Sequence, residues 1–283
     1  MCYPYHERRV FKLPEGPELT TSRDHLRDLL IDKRLHSVNI VGGRFKKKPP
    51  ENIEKFLDEV RQKFLTIDEI EVKGKFMWWT IGPWRMWCTY GMSGQWTQKK
   101  DSHAGITLCY GDDLSTIHFR DPRHFGTIKF VNDDVVHAKK LASLGPDMLN
   151  DPPDAGIFAK RLMKKPQRTI AEVLMDQSCV AGIGNYIKAE CLHRAGISPH
   201  RTVNALSSAD IEKIRSEAVN VCMESYRSQG ATISSYRTVD GHKGSTQFNF
   251  RVYGKKQCQL GHDTVREETL DGRTSHWCPQ CQT

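Results

Sequence analysis

A short acidic motif near the start of the chain, Pro14-Glu15-Gly16-Pro17-Glu18, has the residue types for covalent chemistry. If Pro14 were the first residue, its secondary amine would be a nucleophile, because an α-amino group has a pKa of about 8 against about 10.4 for lysine. Such an amine forms an iminium ion directly with a sugar carbon, and Glu15 would serve beside it as a general acid and base. The alternative is a proline-rich helix entry whose glutamates favour the positive end of the helix dipole.

The residues ahead of this motif decide whether Pro14 can react. Leu13 precedes Pro14, and a proline nitrogen within a peptide bond is an amide rather than a nucleophile. We therefore predict that residues 1–13 are an extension absent from the active form, because translation begins near Leu13 or because the segment is clipped. If the extension is retained, Pro14 is inert, and the chemistry would need Lys75 or water.

Four side chains in the C-terminal tail have the spacing of a metal site. Cys258 and His262 form one pair and Cys278 and Cys281 the other, with 15 residues between the pairs. Two tight turns that each supply two ligands suit tetrahedral zinc, and the metal would join the arms of a tail too short to hold a core. The pattern predicts one structural Zn²⁺. His276 is a rival fourth ligand, and free cysteines with a surface histidine are the other alternative.

Two turn segments carry side chains suited to insertion into a base stack. Tyr90–Gly94 contains Met92, and Asp121–Gly126 contains Arg123 and Phe125. Extruding a base costs unstacking energy, which an apolar wedge and an inserted arginine offset. The alternatives are that Met92 fills the core, that Phe125 is a strand core residue and that Arg123 merely pairs with Asp121.

Taken together, these motifs resemble the formamidopyrimidine-DNA glycosylase / endonuclease VIII (Fpg/Nei) family, and within it the Nei-like subgroup with a Cys-His-Cys-Cys zinc finger. The resemblance covers Pro14–Thr283, about 95% of the chain. It includes the opening motif, Lys73-Gly74-Lys75, the two turns and Cys179–Asn185, which resembles the turn of the family's helix–two-turn–helix. Each motif alone is weak evidence, but five or more in the family's order are highly specific.

The resemblance implies four catalytic residues. Pro14 would attack the sugar and Glu15 would transfer protons. Lys75 would contact the phosphate at the lesion and assist elimination. Arg273, five residues before Cys278, falls where the family's finger presents an arginine that grips phosphate and takes part in a second elimination.

The resemblance also implies a set of DNA-binding residues. Met92 would fill the gap left by the extruded base, Arg123 would pair with the orphaned base, and Phe125 would wedge into the stack. His103 would contact the DNA, and Asn185 with neighbouring amides would hold its backbone.

The charge balance favours a polyanionic partner. The 283 residues include 42 Lys and Arg against 34 Asp and Glu, a formal charge of +8, which suits nucleic acid and also an anionic membrane surface. No run approaches the roughly 18 apolar residues that cross a bilayer, and residues 1–13 lack the pattern of a secretory signal. Nine cysteines, six of them scattered, indicate reduced thiols and an intracellular protein.

The elements that must position these residues predict an α+β fold. Up to Val131 the chain has short segments rich in β-branched and aromatic residues, which indicates a β-sandwich with flanking helices. After Leu144-Gly145-Pro146 the apolar spacing becomes helical. The predicted strands are Ser37–Val41, Glu69–Ile81, Met86–Tyr90, Ile106–Tyr110, Thr116–Arg120, Gly126–Val131 and Gln247–Tyr253. The predicted helices are Leu19–Leu30, Ile157–Met163, Thr169–Asp176, Ile183–Ala195 and Ser207–Arg227, and Lys46–Lys48 is predicted to be a solvated loop, with phosphate contact as the second interpretation.

These elements predict four parts after the extension. A β-sandwich catalytic domain would occupy 14–143, a linker 144–156, a helical domain with the helix–two-turn–helix 157–246, and a zinc β-hairpin finger 247–283. DNA would lie in a basic cleft between the first and later parts.

The predicted function is a bifunctional DNA glycosylase/AP lyase of base excision repair. It would remove oxidised bases through a Pro14 Schiff base followed by β- and δ-elimination. The protein would act as a monomer on damaged DNA and have no membrane partner. The sequence does not distinguish among double-stranded, single-stranded and bubble substrates. One alternative is a non-catalytic relative that binds damaged or branched DNA, which a blocked Pro14 favours. A ribosome- or RNA-associated zinc protein is another, but it leaves the opening motif and the wedge residues unexplained.

Overall fold

The computed structural model describes residues 14–231 and 238–283, so the predicted extension at 1–13 lies outside the described residues. The helices in these ranges are α1 (Gly16–Leu30), α2 (Gly43–Lys47), α3 (Ile53–Gln62), α4 (Asp134–Ala142), α5 (Ala155–Leu162), α6 (Ile170–Met175), α7 (Asn185–Ala195) and α8 (Ser208–Arg227). The strands are β1 (Leu35–Ile40), β2 (Ile67–Lys73), β3 (Phe76–Ile81), β4 (Trp84–Thr89), β5 (Gln95–Thr97), β6 (Ala104–Tyr110), β7 (Ser115–Arg120), β8 (Thr127–Val131), β9 (Val265–Glu268) and β10 (Thr274–Trp277). None of these helices has the length and apolar character needed to cross a bilayer.

The N-terminal half is a β-sandwich, which confirms the prediction. One antiparallel sheet has the strand order β1-β6-β7-β5 and the other has β2-β3-β4-β8. Alternate residues of the strands point into one shared apolar core, where the rings of Trp79 and Trp96, one from each sheet, lie 4.8 Å apart. Helix α1 adds three buried leucines to this core. The core therefore fixes the start of α1, which follows directly on Pro14 and Glu15.

The C-terminal half is helical and has a second core. Helices α5–α8 bury apolar side chains against one another, among them Phe158, Ile187 and Ile214. The segment 144–156 is packed onto this half, because Met148 belongs to the second core and Asp147 forms a parallel bridge with Ala181. In the tail, β9 and β10 pair as an antiparallel hairpin. The α+β class is thus confirmed in both halves.

The single strand predicted over Glu69–Ile81 is wrong, because this segment is a hairpin of β2 and β3. The two strands pair with Lys73 opposite Phe76. Gly74 makes the turn with a φ of +60°, a left-handed conformation that glycine adopts without strain. The turn leaves Lys75 at the tip of the hairpin.

The strand predicted at Gln247–Tyr253 is also wrong. Thr246–Asn249 form a 3₁₀ turn, and the next amides of the chain converge on one side chain. The buried carboxylate of Glu190 accepts the N–H groups of Arg251, Val252 and Tyr253 at 2.8, 3.0 and 2.8 Å. Successive N–H groups of a strand point to opposite sides, so three that converge on one carboxylate do not belong to a strand.

Helices α2, α3 and α4 are absent from the sequence prediction. Helix α2 contains Lys46 and Lys47, so the predicted loop is instead a short helix, although both lysines are exposed as expected. Helix α3 buries Phe56 and Val60 against the sandwich, and Phe56 stacks on Phe130 at 4.3 Å. The i, i+4 spacing of these apolar residues was the available signal.

Candidate functional site

The carboxylate of Glu15 lies at the N-terminus of helix α7, in the other half of the chain. Glu15 is 1% exposed, and its oxygens accept the N–H groups of Tyr186 (2.9 Å) and Ile187 (3.3 Å). The first amides of a helix have no helical acceptor, so a carboxylate here satisfies them and meets the positive end of the dipole. Gly184 permits this approach, because a Cβ there would lie 2.2 Å from Glu15 Cδ. Glu15 is thereby fixed beside the half-buried Pro14.

Three glycines from separate segments meet next to this carboxylate. The N–H of Gly16 donates to the carbonyl of Gly182 at 3.0 Å. A Cβ on Gly74 would lie 2.5 Å from the nitrogen of Gly182, so these backbones approach too closely for any larger residue. The contact brings together the chain after Pro14, the hairpin that carries Lys75 and the turn before α7.

The half-buried Lys75 interacts with two other predicted catalytic residues. Its hairpin is held by Asp147, whose carboxylate accepts the N–H of Gly74 at 2.7 Å. Burial lowers the pKa of Lys75; the negative charge of Glu15 opposes this shift and the positive charge of Arg273 adds to it. A lysine with a lowered pKa exchanges its proton closer to neutral pH, as an acid or base in catalysis must.

Arg273 is exposed at the tip of the β9–β10 hairpin, and its positive charge contributes to the lowered pKa of Lys75. The tip is a tight turn in which the N–H of Thr269 donates to the carbonyl of Arg273 at 3.0 Å and Gly272 has a φ of +69°. An exposed guanidinium on such a turn is suited to grip a phosphate group.

The carboxylate of Asp121 braces the two turns that carry the predicted wedge residues. Asp121 is 4% exposed and accepts the Ser93 hydroxyl (2.5 Å), the Gly126 N–H (2.6 Å) and the Arg123 N–H (3.3 Å). The Arg123 N–H also donates to Ser93 Oγ at 3.1 Å. Because Met92 directly precedes Ser93, one buried carboxylate sets the positions of both turns.

The predicted wedge residues lie at the surface beside this brace. Phe125 is 53% exposed, so the alternative in which it is a strand core residue is wrong. The guanidinium of Arg123 lies 5.4 Å from the centre of the Phe125 ring, within the range of a cation–π interaction. Met92 is half-buried in its turn. His103 is exposed, and its carbonyl accepts the Asp121 N–H at 3.0 Å, which places it at the same loop.

Replacing Asp121 with Asn is expected to loosen both turns, because an amide nitrogen would face the N–H of Gly126 or the hydroxyl of Ser93. We expect a loss of about 1–3 kcal/mol in the free energy of unfolding and a roughly tenfold weaker affinity for lesion-containing duplex. Urea unfolding and fluorescence anisotropy measure the two effects. The control is Asp112→Asn at an exposed turn. Equal behaviour of the two variants would exclude the bracing role.

Asn185 links the finger hairpin to α7. Its side-chain amide donates to the carbonyl of Thr274 at 2.8 Å and to the hydroxyl of Tyr253 at 3.3 Å. Both contacts are within the protein, so contact of this amide with a DNA phosphate requires that one of them be exchanged. The predicted backbone-holding role of Asn185 remains a prediction.

The four predicted metal ligands form one group. Their ligand atoms all lie within 4.8 Å of one another, in Cys258, His262, Cys278 and Cys281. Cys281 Sγ lies 3.8 Å from Cys258 Sγ and 3.2 Å from His262 Nδ1. Such spacing suits four ligands placed about 2.0–2.3 Å from a tetrahedral ion. The rival His276 is buried elsewhere, with its ring 4.6 Å from that of Tyr253.

Several buried charged residues that hold the site together are missing from the sequence prediction. Glu18 accepts the N–H of Glu15 (2.8 Å), the Tyr186 hydroxyl (3.0 Å) and the N–H of Ala231 (2.7 Å). The others are Asp147, Lys188 and Glu190, each at most 3% exposed. Glu18 was signalled by the opening motif. The other three had no local signal, since nothing near them in sequence distinguishes a buried charge from an exposed one.

Two family models match most of the chain. Residues 13–128 match the formamidopyrimidine-DNA glycosylase N-terminal domain, and residues 144–237 match the formamidopyrimidine-DNA glycosylase H2TH domain. Glu15, Lys75 and Asp121 lie within the first match, and helix α7 lies within the second.

Curated relatives are similar over almost their whole length. The formamidopyrimidine-DNA glycosylase of Desulfitobacterium hafniense is 32% identical over 289 residues, which covers 95% of this chain and 100% of that protein. The enzyme of the same name from Bacillus subtilis is 31% identical, with 96% and 99% covered. That of Geobacillus kaustophilus is 30% identical, with 95% and 100% covered.

Solved structures of similar proteins share the fold. The MutM (Fpg) protein of Thermus thermophilus has a TM-score of 0.83 at 28% identity, covering 95% of this chain and 98% of that one. A Lactococcus lactis Fpg variant in complex with Fapy-dG-containing DNA has a TM-score of 0.84 at 26% identity, with 95% and 100% covered. The Lactococcus lactis Fpg complex with DNA containing an abasic site has a TM-score of 0.82 at 26% identity, with 95% and 99% covered.

Proposed function

The chain belongs to the formamidopyrimidine-DNA glycosylase family, and we propose that it is a DNA glycosylase with AP lyase activity. It removes oxidised bases from damaged DNA in base excision repair, as a monomer, and then cuts the strand at the abasic site. The observation that carries the proposal is the position of the Glu15 carboxylate, next to Pro14, on the first amides of α7, where Gly16, Gly74 and Gly182 bring three segments of the chain together.

Pro14 supplies the nucleophile for base release. Its unprotonated nitrogen attacks C1′ of the damaged nucleotide, and the base departs with the electrons of the glycosidic bond. The nitrogen then loses its proton while the sugar ring opens and O4′ gains a proton, which leaves an iminium ion between Pro14 and C1′. Glu15, held against α7 beside Pro14, transfers these protons.

Two eliminations follow from the iminium ion. Removal of a C2′ proton expels the 3′ phosphate with the electrons of the C3′–O bond. Removal of the C4′ proton then expels the 5′ phosphate with the electrons of the C5′–O bond, and water hydrolyses the iminium to release Pro14. Lys75 contacts the phosphate at the lesion and assists proton removal, and Arg273 grips the phosphate that leaves in the second step.

The wedge residues keep the damaged nucleotide out of the duplex. Met92, Arg123 and Phe125 occupy the space that the extruded base leaves and so offset the lost stacking energy. His103 contacts the DNA, and Asn185 with neighbouring amides holds the DNA backbone once its side chain exchanges the hydrogen bond with Tyr253. The +8 charge of the chain favours the polyanion. The exposure of Phe125 supports this role, because its ring, on a turn braced by Asp121, is free to enter a base stack.

The mechanism requires that Pro14 be the first residue of the working protein. The match to the family's N-terminal domain begins at residue 13, and the acidic motif begins at the next residue. We propose that residues 1–13 are absent from the active form, through initiation near Leu13 or through cleavage. The second candidate function, binding of damaged or branched DNA without catalysis, applies if these residues are retained.

The group of Cys258, His262, Cys278 and Cys281 fits a structural zinc ion. Three thiolates and one imidazole are ligands that zinc prefers, and all four positions of a tetrahedral ion are filled by protein, which is typical of a structural site. The ion would join the two arms of the tail and hold the β9–β10 hairpin, and with it Arg273. The four-ligand set also supports the predicted Nei-like subgroup, which remains a prediction.

Replacing Cys278 with Ser is expected to remove the metal and release the hairpin. We expect less than about one tenth of the bound zinc and at least roughly tenfold weaker binding to abasic-site DNA, because hard hydroxyl oxygen is a poor zinc ligand. Atomic absorption and fluorescence anisotropy measure these effects. Cys191→Ser, at a buried cysteine in the second core, is the matched control. Full zinc content in Cys278→Ser would exclude this ligand set.

The proposed function is tested with a chain that begins at Pro14 and end-labelled duplexes that each carry one oxidised base. We expect strand cleavage at the lesion and no cleavage of the undamaged duplex. Binding of the lesion duplex without cleavage by this chain would contradict the enzyme and support the non-catalytic relative.

A further inference from the structure

A buried ion pair anchors the tip of the finger hairpin to helix α7. Lys188 Nζ lies 2.5 Å from Asp271 Oδ2, and the two side chains are 1% and 4% exposed. Lys188 lies in the first turn of α7, and Asp271 lies in the turn between β9 and β10. The pair therefore connects two segments that are far apart in the sequence.

The position of Lys188 is unfavourable by itself. A positive charge in the first turn of a helix meets the positive end of the helix dipole, and full burial removes its hydration. Burial accordingly lowers the pKa of Lys188, and the charge of Asp271 opposes that shift. A buried ion pair of this kind is weak evidence for a role in stability, since apolar residues of similar size stabilise as well. Because the pair joins α7 to the turn that carries Arg273, it indicates a role in positioning that turn instead.

The partner carboxylate shapes the turn that presents Arg273. Asp271 Oδ1 accepts the N–H of Arg273 at 3.1 Å and the hydroxyl of Thr269 at 2.6 Å, while Oδ2 accepts from Lys188. Asn185, the first residue of α7, holds the next residue of the hairpin through the carbonyl of Thr274. Arg273 is thus fixed from both sides, and its guanidinium remains at the surface.

Lys188 also connects this turn to the catalytic residues. The negative charge of Glu15 acts on Lys188 as well as on Lys75, and the positive charge of Arg273 acts on Lys75. Glu15 is held on the same end of α7, so a shift of the hairpin relative to this helix would move Arg273 relative to Glu15.

We infer that Lys188 is a positioning residue for the second elimination, acting through Asp271 on Arg273. The inference rests on the proposed function. Without Lys188, Asp271 is a buried carboxylate without its cation, and the turn that it shapes moves toward water. Arg273 then no longer stabilises the 5′ phosphate as the C5′–O bond breaks and the C4′ proton leaves. Base release and the first elimination depend on Pro14, Glu15 and Lys75, so they are largely retained.

The test measures the two cleavage products separately. Chains that begin at Pro14 react with abasic-site DNA labelled at its 5′ end. A sequencing gel then separates the labelled fragment that ends in a 3′ unsaturated aldehyde, formed by the first elimination alone, from the fragment that ends in a 3′ phosphate, formed by both eliminations. For Lys188→Met we expect the ratio of the second product to the first to fall roughly 10- to 100-fold, because small displacements of a positioned group cost this much. The rate of first cleavage stays within about twofold.

Three further variants keep the test decisive. Lys188→Arg retains the charge and is expected to retain the product ratio. Lys188→Met combined with Asp271→Leu leaves no unpaired buried charge, so it folds if the single variant does not, and it shows the same loss of the second product. Lys213→Met, at an exposed lysine of α8, is the matched control. An unchanged ratio, or an equal loss of both products in the charge-free double variant, would overturn the inference. If the unaltered chain cleaves nothing, the proposed function fails instead.

Discussion

A chain that begins at Pro14 is expected to cleave abasic-site DNA at least about a thousandfold faster than the 283-residue chain that retains residues 1–13. The reason is electronic. In the longer chain the nitrogen of Pro14 is an amide whose lone pair is delocalised into the carbonyl of Leu13, so it forms no iminium ion. Single-turnover cleavage of a labelled abasic duplex measures both rates.

The matched control for this prediction adds one residue only. A chain that begins at Leu13 has the same fold and charge as one that begins at Pro14, but its proline nitrogen is blocked. We expect it to be as inactive as the longest chain while binding the abasic duplex with similar affinity. Comparable cleavage by all three chains would mean that Pro14 is not the nucleophile.

Replacing Glu15 with Gln is expected to slow base release by a factor of about 10²–10⁴, the usual contribution of a general acid and base. The substituted side chain would have no transferable proton. Its amide nitrogen would also face the N–H groups of Tyr186 or Ile187, which now donate to the carboxylate. Single-turnover excision of an oxidised base, measured after alkaline cleavage of the abasic product, isolates this step.

The DNA affinity of this variant shows whether it has lost only its catalytic step or also its folded structure. We expect Glu15→Gln to bind a stable abasic-site analogue within roughly tenfold of the unaltered chain. Glu54→Gln, at an exposed glutamate of α3, serves as the control for the substitution itself. Base release at the normal rate by Glu15→Gln would remove Glu15 from the catalytic residues.

The parts of the site that depend on local spacing could be predicted from the sequence. Two close pairs of ligands are sufficient to indicate a metal site, and the four side chains do form one group. The turns that carry Met92 and Phe125 could likewise be identified from glycines and the residues between them. Each ligand pair and each wedge residue lies on a single short turn. The spacing of these residues along the chain therefore determines how their side chains are placed relative to one another within the turn.

The contacts that assemble the site could not be predicted in this way. The seat of Glu15 on α7 and the closeness of Gly74 to Gly182 depend on how the two halves of the chain pack. Gly182 and Gly184 belong to the turn before α7, whose amides were expected from the resemblance to hold the DNA backbone. Their lack of a Cβ also makes room for Glu15 and for the Lys75 hairpin, which no pattern within the turn indicates.

The error at Gln247–Tyr253 has the same origin. The segment is rich in aromatic residues and so has strand propensity, but the carboxylate of Glu190 offers its amides a buried acceptor. A buried charge must be satisfied, and this requirement outweighs local propensity. The pairing of Lys188 with Asp271 was missed for the same reason, since both residues are ordinary surface types in the sequence.

The bond between Pro14 and the DNA sugar can be located directly. Sodium borohydride reduces the iminium ion to a stable amine, so a chain that begins at Pro14 is trapped on abasic-site DNA, digested with nuclease and trypsin, and sequenced by mass spectrometry. The sugar remnant is expected on the nitrogen of Pro14, in the peptide Pro14–Arg23. A remnant on Lys75, or the absence of any cross-link while the strand is cut, would contradict catalysis by the N-terminal proline.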